Sequence, residues 1–593
     1  MVADNLILIS VDRPTRTPLA EQLKDSGQVV GVISLLDEAV ATLILLQALG
    51  DAGIDAPLWC VTQGAAAVDG TDTPPNPDEA AIWGLGRVAA LEYPHRWGGL
   101  IDLPDHHALA RVAGAITVAG GEDQIAIRPN GTWGRRLTQA PARAASPSAM
   151  STRGTVLVTG GTGALGGHVA RWLAREGAEH LLLVSRHGPA APGADELAAD
   201  LSDLGTRVSV IACDVADREA LRAVIAAIPD EYPLTGVCHA AGIVADGVLD
   251  GLDAHDFESV FGAKVDGLRY LDELTRDREL QFFLAFSSIA GSLGGAGQGN
   301  YAAANAAVDG IIEARRRAGL PGLSVAWGAW AGDGMAADAR ASERARRGGL
   351  TPMDPARAMA ALRESLLCGD TTVTVADINW QRLIPAFTAG RPSPLLSAIP
   401  GYTDSVDSLD RAGSLTGRLA ALAVDERLPL VLEVVSAGVA KVLGHNSAGS
   451  VAADRAFRDA GFDSLTAVEL SNHLAATTGV MLPSTAVFDH PSPRALAEFV
   501  VGELVGGSSG LVSVVSVGGV GVDPVVIVGM DCRFPGGVGS PDELWDLVVS
   551  GAEGLGGFPT DRGWDVDGLM DPAYAHVGGF VDGVAGFDAG FFG

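Results

Sequence analysis

Short apolar runs alternate with helix-spaced segments over the first two thirds of the chain. Leu6-Ile7-Leu8-Ile9, Val29-Val30-Gly31-Val32-Ile33 and Pro57-Leu58-Trp59-Cys60-Val61-Thr62 read as buried parallel strands, since runs of this kind leave no polar face for solvent. Leu36 through Leu49 between them has helical spacing. The rhythm resumes at Gly154, with strands expected at Thr155–Val158, Leu181–Val184, Val208–Val215, Gly236–Gly242 and Leu284–Ser288. Strand and helix in alternation predict doubly wound α/β units, here two in tandem, at 1–140 and 153–391. A small-residue linker (Ala140-Pro141-Ala142-Arg143-Ala144-Ala145-Ser146) divides them. After a Pro-, Ser- and Asp-containing linker at 392–427 the pattern becomes purely helical over 428–503, a small all-α unit. A Gly/Ser/Val linker at 504–522 then leads to a last α/β stretch at 523–593.

Composition narrows the function classes. At 593 residues the chain exceeds one ordinary core, and about three to five domains are expected. With 47% hydrophobic and 19% charged residues, most of it should fold. A net charge of −31 argues against nucleic acid or an anionic membrane as partner, because either demands a basic face. Five cysteines lie without CxxC or metal-ligand spacing, as in a reducing cytoplasm, and no metal site is expected. No leader peptide or membrane span is legible.

The densest chemistry comes after the strand at Thr155. Thr159-Gly160-Gly161-Thr162-Gly163-Ala164-Leu165-Gly166 is a glycine turn opening a helix, where a pyrophosphate can approach backbone and meet unpaired N–H groups. In a chain with 77 glycines that pattern alone is weak, and the residues downstream of it decide. The next strand ends in Ser185-Arg186. An acidic residue there would take the ribose hydroxyls of NAD, whereas a guanidinium suits the 2′-phosphate of NADPH. Asp214 ends the third strand, where an adenine amine can be met, and Ala240, Ala241 and Gly242 end the fourth, small enough to let a cofactor pass. His239 reads as a positional hydrogen-bonder. Ser288 closes a strand and Tyr301 opens a helix: carbonyl reduction needs a donor at the developing alkoxide and a proton for it, and these two supply both. Lys264 is the candidate ammonium for the phenolate left behind. Asn305, one helical turn beyond Tyr301, could order a water that returns the proton. No glycine fingerprint follows a strand of the first unit, so its role reads as structural.

These residues resemble the ketoreductase domain of a modular type I polyketide synthase, a relative of the short-chain dehydrogenases/reductases. The resemblance rests on the Thr-Gly-Gly-Thr-Gly-x-Leu-Gly loop, on Ser288 standing 13 residues before Tyr301, and on Tyr-x-x-x-Asn with Lys264 upstream. Val325-Ala326-Trp327-Gly328-Ala329-Trp330 and, in the first unit, Ile82-Trp83-Gly84-Leu85-Gly86-Arg87 fit as well. The first unit then resembles the non-catalytic partner subdomain, beginning late. The resemblance implies Tyr301, Ser288, Lys264 and Asn305 as catalytic residues and NADPH as reductant. It also implies a B-type product of 3R configuration: Val244-Ala245-Asp246 stands where B-type reductases carry Leu-Asp-Asp, keeping the last Asp, and Leu293, eight residues before Tyr301, stands where A-type reductases carry Trp.

Further on, Gly461-Phe462-Asp463-Ser464-Leu465 opens a helix. Taken alone Ser464 reads as an N-cap. With Leu482-Pro483-Ser484-Thr485-Ala486-Val487-Phe488-Asp489-His490-Pro491 downstream, residues 428–503 resemble an acyl carrier protein. That makes Ser464 the attachment site of 4′-phosphopantetheine, with Asp463, Leu465, Val468 and Glu469 on the face that partners read. Pro524–Gly537, Phe558–Asp565 and Phe587–Gly593 resemble the beginning of a ketosynthase and stop before that family's active-site Cys and two His, so no condensation is expected of this stretch. Cys532 reads as an ordinary position, and Phe587, Phe591 and Phe592 as apolar surface of a larger core. The implied partners are an acyl chain on the carrier arm, ketosynthase and acyltransferase domains, a phosphopantetheinyl transferase, and a second copy through the remainder of the ketosynthase. Two rival readings stand beside this: a redox-inactive scaffold that only carries acyl groups, and a free-standing reductase of small ketones.

Overall fold

The computed structural model describes residues 6–141, 153–332, 345–402 and 424–506, apart from short gaps within them, and scattered residues between 535 and 580. Pro524–Val528, Cys532, Trp564, Phe587, Phe591 and Phe592 fall outside the described residues, as do linker residues 142–152 and 403–423 and the side chains of Ser464 and Leu465. Residues up to Gly507 form one compact unit and those from Ser508 another. In the latter the described pairing is Gly556–Gly557 antiparallel to Val577–Gly578.

The first sheet holds β1 (Leu6–Ile9), β2 (Gly31–Ser34), β3 (Leu58–Gln63), β4 (Trp97–Leu103), β5 (Gln124–Arg128) and β6 (Gly131–Gly134) in that spatial order. The first five strands are parallel, and β6 turns back as a hairpin on β5. β2 starts two residues later than its apolar run suggests, because Val30 stays 48% exposed ahead of the sheet. Strand order in this sheet never reverses. A crevice for a dinucleotide forms where neighbouring connections leave the sheet in opposite directions, and the described strands of this sheet have no such point. Helices α1 (Arg16–Lys24), α2 (Ala39–Asp51) and α3 (Pro77–Glu92) connect these strands. α3 begins as helix-start chemistry dictates, with Asn76 accepting from the Asp78 amide and Pro77 in the first turn.

The second sheet is wholly parallel, in the order β13-β12-β11-β10-β7-β8-β9: Thr372–Val375, Leu323–Trp327, Phe282–Ser288, Leu234–His239, Thr155–Thr159, His180–Ser185 and Arg207–Ala212. Here the order does reverse. β7 lies between β8 and β10, and the chain moves first one way and then the other from it, which places a switch point at the carboxyl ends of β7 and β10. Helix α4 (Ala164–Arg175) leaves β7 at that point, and α5 (Gly299–Arg317) follows β11.

One apolar core joins the two sheets. Leu45, Ile82 and Leu85 of the first half share it with Val237, Ala303 and Ile312 of the second. At its centre α3 lies on α5 with backbones nearly touching: a Cβ on Gly84 would fall 2.3 Å from the carbonyl oxygen of Ala302. Glycine is required there by proximity.

Among the described residues of 424–506 stand four helices, α6 (Val424–Leu443), α7 (Ser464–Thr478), α8 (Ala486–Asp489) and α9 (Pro493–Gly506), closed on their own core of Val431, Val435, Phe457, Phe462, Leu470, Leu474, Leu496 and Val500.

Candidate active site

β7 ends in the glycine turn. Gly160 has φ +65°, and a Cβ on it would lie 2.8 Å from the Ala240 carbonyl oxygen, while one on Gly166 would lie 2.1 Å from the Gly160 carbonyl oxygen. The turn is folded so tightly on the end of β10 that side chains are excluded, leaving bare backbone at the start of α4. Thr162 donates to Ser185 Oγ at 2.8 Å, and Ser185 Oγ accepts from the Gly188 amide at 3.1 Å, joining the turn to the end of β8. Arg186 is exposed next to it, Asp214 is exposed past β9, and Leu165 is half-buried on α4. Ala240, Ala241 and Gly242 run on from β10, and a Cβ on Gly242 would sit 3.1 Å from Lys264 Cε. The cofactor candidates named from the sequence therefore gather at the carboxyl edge of β7, β8, β9 and β10. A cradle that a Cβ would fill, at a switch point, fits a dinucleotide.

Lys264 enters from the side. It lies on a single π-helical stretch, Gly262–Asp266, between helices Ala254–Phe261 and Gly267–Leu274. Such bulges re-aim a side chain and recur at functional sites, and nothing in the residue pattern marks this one. Its Nζ donates to the Phe286 carbonyl of β11 at 2.7 Å and stands 5.4 Å from the centre of the Tyr301 ring. Burial, which strips water from the ammonium, pushes the Lys264 pKa down to about 8. His239 braces this arrangement. Nε2 lies 3.0 Å from the Lys264 carbonyl oxygen, so it carries the proton, and Nδ1 at 2.8 Å accepts from the Thr159 hydroxyl. Burial holds its pKa down at about 3, so the ring is neutral.

Tyr301 and Asn305 are 6% and 0% exposed on α5. Burial pushes the Tyr301 phenol up to about 12, with the Ser288 hydroxyl and the Asn305 amide opposing the rise. Ser288 ends β11 and caps the short helix after it, its Oγ accepting from the Ala290 amide at 3.3 Å. Asn305 Nδ2 donates to the Tyr301 carbonyl at 2.7 Å, while its Oδ1 is buried with no partner among the described residues. An acceptor so placed fits a water or ligand proton. Lys264, Ser288, Tyr301 and Asn305 thus converge at one end of β10 and β11. Asp246 is exposed on the loop after β10, 3.3 Å from Gln298 Nε2. Leu293 sits elsewhere, 4% exposed in an apolar cluster with Leu383, Ile384, Leu395 and Leu396.

In the carrier, the N-cap of α7 is Asp463: its Oδ1 accepts from the Thr466 amide at 2.8 Å and its own amide donates to Thr466 Oγ1 at 2.8 Å. Ser464 is the first residue of the helix. The capping role read for Ser464 from its position is therefore filled by its neighbour, because Thr466 lies where it can reciprocate. No helix among the described residues is long and apolar enough to cross a membrane, and none of their His, Cys, Asp and Glu form a group able to hold a metal ion.

Comparison with known proteins identifies the parts. Residues 154–332 match the KR domain family, 11–137 the Rossmann fold domain of polyketide synthase extender module SpnB, 433–500 the phosphopantetheine attachment site, and 522–593 the N-terminal domain of β-ketoacyl synthase. Polyketide synthase GfsA of Streptomyces halstedii is 48% identical over 97% of this chain, which spans 8% of that protein's length. A solved A1-type ketoreductase is 43% identical with a TM-score of 0.66, covering 68% of this chain and 95% of its own. An A-type ketoreductase from a modular polyketide synthase is 47% identical with a TM-score of 0.64, covering 66% of this chain and 87% of its own. The chain belongs to the modular polyketide synthases, joining a Rossmann-like ketoreductase domain of the short-chain dehydrogenase/reductase type to a phosphopantetheine carrier domain and part of a ketosynthase domain.

Proposed function

We propose that the chain reduces a 3-oxoacyl thioester, held on a phosphopantetheine arm at Ser464, to the 3-hydroxyacyl thioester at the expense of NADPH. The observation that carries this is the convergence of Lys264, Ser288, Tyr301 and Asn305 beside the glycine turn at 160–166. NADPH, when bound, supplies the hydride to C3. Gly160, Gly161, Thr162, Gly163, Leu165 and Gly166 would hold its pyrophosphate, Asp214 its adenine, and Ala240, Ala241 and Gly242 its passage toward the nicotinamide end. Ser185 and the exposed guanidinium of Arg186 suit the 2′-phosphate and favour NADPH over NADH.

This chain's residues handle the oxygen and the proton. Tyr301, kept protonated by a pKa of about 12, gives its proton to the alkoxide oxygen forming at C3, and the Ser288 hydroxyl donates a hydrogen bond to that oxygen. The Lys264 ammonium, 5.4 Å from the ring, stabilises the phenolate. The open acceptor of Asn305 orders the water that returns a proton to Tyr301. Removing one oxyanion donor costs about 10²–10³ in rate. Ser288→Ala should therefore lower NADPH consumption on a 3-oxoacyl diketide thioester by that factor while NADPH still binds. Wild-type turnover in this variant would refute the assignment.

We further propose B-type reduction to the 3R alcohol. The support is Asp246 on the loop flanking Tyr301, 3.3 Å from Gln298 Nε2, together with the family resemblance read from the sequence, in which Leu rather than Trp stands at position 293. The A-type structures are 43% and 47% identical to this chain, and facial choice rests on the few side chains around the substrate rather than on that overall similarity. Chiral chromatography of the product decides, and a 3S alcohol overturns the proposal. The expected partners are the remaining domains of a synthase module, a phosphopantetheinyl transferase that loads Ser464, and a second copy joined through ketosynthase regions. The cytoplasm, which supplies NADPH and keeps thiols reduced, is the expected compartment.

A further inference from the structure

Glu92 is the last residue of α3, in the half of the ketoreductase that contributes no catalytic group, yet its carboxylate belongs to the other half. It is 5% exposed. One oxygen accepts from the Gly297 amide at 2.7 Å and the other from the Leu249 amide at 2.7 Å. A buried carboxylate is costly to desolvate and is tolerated where its oxygens are satisfied, and here both partners are backbone groups of loops in the catalytic half. Gly297 lies in the glycine-rich loop just before Tyr301. Leu249 lies in the loop after β10 that carries Asp246.

The two loops are also joined to each other. The Gly247 amide donates to the Gly297 carbonyl at 2.8 Å, Gln298 reaches Asp246, and Asn300 Nδ2 donates to the Ala245 carbonyl at 2.8 Å. Leu249 packs so closely on α5 that a Cβ on Gly299 would meet its Cδ2 at 2.3 Å. A second side chain of the first half completes the hold: Gln47 of α2, 6% exposed, donates through Nε2 to the carbonyls of Leu249 at 2.8 Å and Leu252 at 2.9 Å. Acceptor and donor from one subdomain thus grip N–H and C=O groups of the other, on both sides of the first turn of the Tyr301 helix.

We propose that Glu92 and Gln47 are positioning residues for the reduction, fixing from the first subdomain the two loops that flank Tyr301 and thereby the orientation in which the 3-oxoacyl thioester meets the hydride donor. This rests on the reductase reading given above. A displacement of about 1 Å in such a frame can cost on the order of 10²-fold in rate, and a loosened groove admits the carbonyl with either face forward.

The test uses the full chain with NADPH and a 3-oxoacyl diketide thioester. Glu92→Gln exchanges an acceptor oxygen for an NH2 group, which cannot accept from a backbone amide. It should lower kcat at least about tenfold, with a smaller change in KM, and erode the ratio of the two C3 epimeric alcohols (3R against 3S), while NADPH still quenches protein fluorescence at wild-type concentrations. Gln47→Leu, which releases only the Leu249–Leu252 side, should erode the ratio in the same direction by less, and it carries the test alone if Glu92→Gln does not fold. An unchanged 3R to 3S ratio in the folded variants, or a loss of turnover that only parallels loss of NADPH binding, overturns the assignment and leaves a plain structural bond. Failure of the wild type itself to consume NADPH would instead remove the reductase reading on which it stands.

Discussion

At the scale of single residues, burial sets the working state of the site. Lys264 and Tyr301 are pushed in opposite senses by the same loss of water, the ammonium down to about 8 and the phenol up to about 12. At neutral pH both carry their protons, the pairing that donation from phenol to alkoxide requires. Above about pH 8 the folded chain releases the Lys264 proton while the unfolded chain, with an ordinary lysine at 10.5, keeps it. Stability supplied through Lys264 therefore rises with pH from 8 toward 10.5, approaching about 3 kcal/mol for the whole shift. Reduction falls over the same range as the phenolate loses its support. The buried thiols of Cys60 and Cys238, raised by burial, act the other way above pH 9, so the informative quantity is a difference. Denaturant unfolding of cofactor-free wild type and Lys264→Met at stepped pH should give a gap that closes in favour of the wild type between pH 8 and 9. A gap that stays constant would mean that Lys264 keeps its proton when folded.

At the scale of elements, the arrangement depends on backbone meeting backbone. α3 and α5 could not lie at their observed separation with any side chain at Gly84. Gly84→Ala should drive α3 off α5 and cost about 1–3 kcal/mol by overpacking. Because α5 carries Tyr301 and α3 carries Glu92, turnover should fall further than the loss of folded protein explains. Thermal melting alongside NADPH oxidation checks this, and a variant matching wild type in both would show that the helices do not touch. A buried ion pair works within the second half: Arg315 of α5, with a fully buried side chain, meets Asp272 at 2.5 Å. Helix Gly267–Leu274, which follows the π-helical stretch bearing Lys264, is thereby fastened to the helix bearing Tyr301.

At the scale of the whole molecule, the carrier closes on its own apolar core, separate from the core that the two sheets share. A polypeptide of residues 428–503 should therefore fold alone and accept phosphopantetheine from coenzyme A in the presence of a transferase. Intact-mass measurement should show the adduct on the wild type and none on Ser464→Ala. An adduct on the variant would move the attachment site elsewhere.

Much of this was legible in the order of residues. Apolar runs located β3, β7 and β8 because a strand buried on both faces needs them; the same kind of run located β1 but not its burial, since β1 is the edge strand of its sheet and Leu8 is 59% exposed. The glycine turn was legible because phosphate chemistry demands bare backbone at a fixed spacing. Ser288, Tyr301 and Asn305 were readable because they stand close together along the chain, at the end of one strand and the start of one helix. Lys264 was named from the sequence as the candidate ammonium, but the route by which it reaches Tyr301 was not legible, since it depends on a π-helical stretch that no residue pattern announces. Which of two adjacent residues capped α7 depended on where Thr466 fell in three dimensions. The uninterrupted order of the first sheet, the position of Leu293 among apolar neighbours, and the reach of Glu92 and Gln47 into the other half were decided by tertiary structure alone. They join groups up to 205 positions apart, and local sequence carries information about contacts only over the span of an element or a turn.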